Sequence, residues 1–181
     1  MTESRRFDLV AFSAPGSIEA EVVGQQARLF AEHGLASSQA LPPLVPVCFL
    51  PPGRAPSVLL ARVSRSAPAP IAFRSTGMRW EGGWLYLMLE SAGAWRSARA
   101  EAEEASQGGG PFPCVEGFFL GCGEASAEER GRVGLAGPDL RFTSCTVSLV
   151  RIECLGDSAG WWRQLWWEVL DERPLRVRRQ R

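Results

Sequence analysis

The octet LVPVCFLP at 44–51 returns as CVEGFFLG at 114–121, each directly after a proline, Pro43 and Pro113. Both copies carry Val at the second place and Phe-Leu at the sixth and seventh. Such runs read as buried strands. Written twice, seventy positions apart, they restrict the chain to folds with two comparable halves.

At 181 residues and 45% hydrophobic content, the chain can bury a core shared by two small lobes. Twenty basic residues balance twenty acidic ones, so no overall field draws in nucleic acid or a membrane surface. Every basic residue is Arg and neither Lys nor Asn occurs, so single arginines are weak signals. The N-terminal segment lacks a signal-peptide core and no apolar run nears the ~20 residues that span a bilayer. A cytoplasmic location is expected, with the five cysteines reduced; their spacing contains no Cys-x-x-Cys pair, and neither a metal nor a cofactor is expected.

Strands are expected over 7–13, 44–50 and 84–90, with shorter extended pieces at 71–74 and 78–80. Ser17 suits an N-cap and His33-Gly34 a C-terminus for a helix over 17–33. Further helices are expected over 57–66 and 94–106, and a short helix or helical turn over 126–133. The second octet and FTSCTVSLVRIE (142–153) read as one strand each, and 156–160 as a turn. WWRQLWWEVL (161–170) fits helix or strand spacing; the turn before it favours the second arm of a hairpin. The order amounts to a duplicated α+β unit.

Octets, spacing and flanking order, from FDLVAF through MRWEGGWLYLMLE to FTSCTVSLVRIE, resemble the two-histidine phosphoesterase superfamily. That superfamily includes 2'-5' RNA ligase-like proteins and cyclic phosphodiesterases, and it carries a His-x-Thr/Ser motif twice, once per lobe. The resemblance implies a bilobal α+β fold, with two antiparallel sheets flanking a central cleft and helices outside. Lobes of 1–90 and 91–172 that exchange strands, and a basic tail over 173–181, are expected with it.

Carried over position by position, the motif residues are Leu44 and Pro46 in the first octet and Cys114 and Glu116 in the second. None is histidine, serine or threonine, so the chain resembles a degenerate member that lacks both motifs. Leu44 cannot move a proton, and Pro46 offers a phosphate neither hydroxyl nor N–H. Two apart on a strand, Cys114 and Glu116 would share a face. There a carboxylate about 4 Å from a phosphate oxygen would repel it by about 4 kcal/mol at an effective dielectric of about 20. That exceeds the roughly 1 to 2 kcal/mol of a hydroxyl hydrogen bond. An unperturbed thiol near pKa ~8.5 suits neutral acid/base work poorly.

The single histidine, His33, suits helix capping better than catalysis. Six of the seven tryptophans, Trp80, Trp84, Trp161, Trp162, Trp166 and Trp167, could stack on bases, but strand positions make most of them core and an exposed subset a protein contact. Arg173, Arg176, Arg178, Arg179 and Arg181 are a weak nucleic-acid candidate or a solvated terminus. The expectation is therefore a catalytically inactive binding module, for a protein partner or for a nucleotide- or RNA-like ligand in a modified cleft. The alternative is an active phosphoesterase or RNA ligase-like enzyme, acting on 2',3'-cyclic phosphates or 2'-5' linkages through non-standard residues.

Overall fold

The structure is a computed structural model of the chain, describing residues 4–50, 55–67, 70–103, 109–122, 136–155 and 161–175. The first two apolar runs form β1 (Ser4–Ser13) and β2 (Leu44–Leu50), paired antiparallel. Helix α1 (Gly16–His33) lies between them and starts earlier than expected. Pro15, not Ser17, is its N-cap: the fixed proline φ of −61° suits the entry, and its carbonyl takes the Ile18 and Glu19 N–H groups. At the other end Gly34 adopts φ 65°, and the Gly34 and Leu35 N–H groups return to Phe30 and Leu29.

Then come α2 (Pro56–Ser66), β3 (Ile71–Glu81), β4 (Trp84–Glu90), α3 (Ala94–Glu103), β5 (Gly117–Cys122), β6 (Arg141–Ser144), β7 (Thr146–Leu155) and β8 (Leu165–Pro174). The two extended pieces expected at 71–80 are a single strand, because a bulge between Ser75 and Gly77 absorbs the break in pattern. Conversely, FTSCTVSLVRIE is two strands, β6 and β7, separated by Cys145 and lying in different sheets. The Ser144 hydroxyl holds this corner by donating to the Ser13 and Thr146 carbonyls. Arg173 belongs to β8 and not to a tail; it pairs with Asp171 at 3.0 Å. The short helix or helical turn expected at 126–133, the turn at 156–160 and Arg176, Arg178, Arg179 and Arg181 lie outside the described residues.

Two antiparallel four-stranded sheets result, ordered β2-β1-β7-β8 and β5-β4-β3-β6. Each draws two strands from the first four in sequence and two from the last four. One hydrophobic cluster packs Val10, Phe12, Val45 and Val47 of the first sheet with Leu85, Leu87, Phe118 and Leu120 of the second and with the helices. Burying each such side chain contributes about 1.5 to 3 kcal/mol. A second cluster is aromatic and joins the two octet strands: Phe49 of β2 and Phe119 of β5 both meet Phe112, at ring separations of 5.0 Å. Trp161 closes over Phe112 at 5.7 Å. No helix among the described residues is long and apolar enough to cross a membrane.

Candidate ligand groove

Glu19, Val23, Gln26 and Ala27 fall at i, i+4, i+7 and i+8, so they form one stripe along α1. Facing it are Trp167, Val169 and Glu172 of β8, with Ser13 and Leu44, register partners on β1 and β2, along the floor. Gln39, Leu41, Pro42 and Pro43 close the side, and the space enclosed is about 630 Å³. The buried Gln26 amide ties the wall together by donating to the Leu41 carbonyl at 3.2 Å and the Phe119 carbonyl at 3.4 Å. At the floor, the Ser13 and Ser148 hydroxyls lie 2.5 Å apart, and Ser148 donates to the Glu172 carboxylate at 2.8 Å. Glu19 and Glu172 are the charged side chains of this lining; it contains no Arg or His among the described residues.

Leu44 and Pro46, from the first octet, also line a crevice with Leu9, Phe112, Phe119 and Ile152. Its volume is about 10 Å³, no more than one water needs. Among the described residues this crevice is closed by the aromatic cluster, whereas the groove between α1 and β8 has room for a ligand.

The second octet does not present Cys114 and Glu116 as a strand pair. Strand β5 begins at Gly117, after a tight bend in which the Gly117 N–H donates to the Val115 carbonyl at 2.9 Å. Glu116 accepts a hydrogen bond from the Ser91 hydroxyl, which in turn accepts the Trp95 N–H in the first turn of α3. A carboxylate there complements the helix dipole. Cys114 packs at the edge of the aromatic cluster. Burial, with the neighbouring Cys48 thiol, pushes its thiol up to about 12, against an opposing pull from Arg99 and a Phe49 backbone hydrogen bond. Neither Cys114 nor Glu116 is among the residues lining the groove or the crevice. The repulsion expected from Glu116 therefore does not fall on this groove, whose carboxylates are Glu19 and Glu172.

His33 ends α1 and faces a separate hollow, with Arg28, Glu32 and Met78. The tryptophans divide as expected: Trp161 is buried, whereas Trp166 and Trp167 are exposed on β8. Sequence reasoning missed Ser13, Glu19 and Glu172 because no motif marks them. The helical spacing of 19, 23, 26 and 27 and the alternation of Trp167 with Val169 were the available signals.

No family model and no curated protein matches the chain. Solved structures do match, over nearly its whole length. TT0787 of Thermus thermophilus is 21% identical, with 96% of this chain and 100% of that one covered and a TM-score of 0.68. A structure described as a phosphoesterase is 15% identical, covering 94% and 99%, with a TM-score of 0.65. LigT of E. coli, complexed with 3'-AMP, is 14% identical over 96% and 99%, with a TM-score of 0.61. At these identities the likeness is one of architecture: the chain has the α+β fold of the LigT-like two-histidine phosphoesterases.

Proposed function

We propose that this protein is a binding module on that fold, without two-histidine catalysis, and that its groove takes an uncharged or cationic group rather than a phosphate. The charge of the groove carries this reading. Glu19 and Glu172 line it with no cation beside them among the described lining residues. A phosphate about 4 Å from either carboxylate is repelled by up to about 4 kcal/mol at an effective dielectric of about 20. Salt screening lowers that figure without changing its sign.

Of the positions equivalent to the family's motifs, Leu44 and Pro46 cannot transfer protons, Glu116 is engaged by Ser91, and Cys114 stays a neutral thiol at pH 7. General acid and general base are each worth on the order of 10²- to 10⁴-fold. Five unbridged thiols suit a cytoplasmic setting.

Purified protein should leave 2',3'-cyclic nucleotides and 2'-5'-linked dinucleotides unchanged relative to buffer, and calorimetric titration with 3'-AMP should give no heat. Turnover lost in Cys114→Ala/Glu116→Ala would overturn the reading in favour of an active phosphoesterase. The complexes of LigT with 3'-AMP and NADP+ favour a second reading, a nucleotide-like ligand. Saturable 3'-AMP binding without turnover would select it.

A further inference from the structure

Strand β8 is ten residues long and pairs with β7 along one edge; among the described residues no strand pairs with the other edge. It leaves Trp166, Trp167, Val169 and Leu170 exposed by 52%, 39%, 46% and 37%. A long apolar edge is an aggregation hazard unless something covers it. Beside this edge runs the groove, into which β8 directs Trp167, Val169 and Glu172, opposite Val23 and Glu19 of α1.

We propose that the open edge of β8 and the groove together receive an extended peptide segment of a partner protein, added as a fifth strand. On the groove-facing side of that peptide, an arginine or lysine stands two residues from an aliphatic or aromatic residue. Main-chain bonds to β8 supply register, and alternate side chains enter the groove. The apolar side chain packs between Val169 and Val23, and the cation lies between Glu172 and Glu19, because the bulge in β8 leaves Val169 and Glu172 two register positions apart. A guanidinium or ammonium is the group that two carboxylates without a resident cation would recognise.

The same charges select among occupants. Strand β8 holds Glu168, Asp171 and Glu172 against the single Arg173, so a second copy would bring a strand of the same net negative charge to this edge. Nucleic acid meets the same repulsion. A basic segment meets none.

This inference rests on the groove's being a binding site for non-anionic groups, and its test separates the two. A displayed library of random nine-residue peptides is selected on the full-length protein, and the winning sequences are synthesised for anisotropy titration. Enrichment of Arg or Lys two places from an apolar residue is expected. Binding should weaken at least tenfold in Glu172→Arg and in Val23→Arg, both at exposed positions, with unchanged thermal melting as the control. N-methylation of alternate peptide residues should abolish binding in one phase and leave it within about twofold in the other.

No enrichment, acidic enrichment, equal binding by the variants, or indifference to the phase of methylation would overturn the proposal. So would a dimer in sedimentation that Glu172→Arg dissociates, since that would assign the face to a second copy. If no peptide binds while 3'-AMP and the hydrolysis panel also stay silent, only the peptide is lost and the binding-module reading stands.

Discussion

Trp95 and Arg99, one turn apart on α3, stack at 5.3 Å and each hold one octet. The Trp95 indole donates to the Pro46 carbonyl at 2.9 Å, and Arg99 donates to the Cys114 carbonyl. A single helix face thus fixes the two octet segments relative to each other, through backbone atoms that do not depend on which side chains the octets carry.

Trp95→Phe keeps the ring and removes the donor, leaving the Pro46 carbonyl without its indole partner. The cost should be about 1 to 3 kcal/mol in urea unfolding. A variant as stable as the parent would show that water replaces the indole.

Introducing histidines at the octet positions should not produce phosphoesterase chemistry. Leu44 lines the groove but Cys114 does not, so Leu44→His/Cys114→His would not set two imidazoles on either side of one ligand. The double variant should hydrolyse 2',3'-cyclic nucleotides no faster than the parent, and turnover clearly above it would mean that the two positions meet across the cleft after all.

Thiol chemistry offers a second check. With its thiol pushed up to about 12, Cys114 holds about one thiolate in 10⁵ at pH 7. Iodoacetamide followed by peptide mass mapping should label the exposed Cys145 well before Cys114. The same shift has a sign in stability. The folded protein keeps this proton where the unfolded chain releases it, so stability is unaffected below the ordinary thiol pKa of about 9 and falls as pH rises towards about 12. Burial raises Tyr86 in the same direction. Melting temperature followed from pH 8 to 11 should fall less steeply in Cys114→Ala.

One substitution at two glycines should give opposite signs. A Cβ on Gly117 would stand 2.7 Å from the Leu87 carbonyl oxygen, a backbone atom with little room to move, and Gly117→Ala should cost about 1 to 3 kcal/mol. Gly24 is exposed within α1 with nothing within 4 Å of such a Cβ, so Gly24→Ala should stabilise by about 0.4 to 1 kcal/mol. Chemical denaturation of both variants decides the pair.

Much of this architecture was legible. Apolar runs marked β2 and β4, the turn expected before it marked β8, and Gly34 marked the end of α1, because these signals act over a few neighbouring residues. The errors arose where tertiary contacts decide. LVPVCFLP enters its strand at the first residue, whereas CVEGFFLG enters only at the fourth, after the bend at 115–117. Similar lettering therefore concealed different backbones, and Cys114 and Glu116 went to structural partners. The groove was illegible for a related reason: its carboxylates, Glu19 and Glu172, come from elements 153 residues apart, and only folding brings them to one lining.

The allocation of strands to sheets also bears on how the chain can be divided. A break in the connection at 91–93 would leave one fragment with β1 to β4 and the other with β5 to β8, each owning half of both sheets and all of neither. Two such fragments, expressed separately, could bury their apolar faces only by finding each other. The molecule is thus organised as a complementation pair, in which regained folding would report that two fused partners have met.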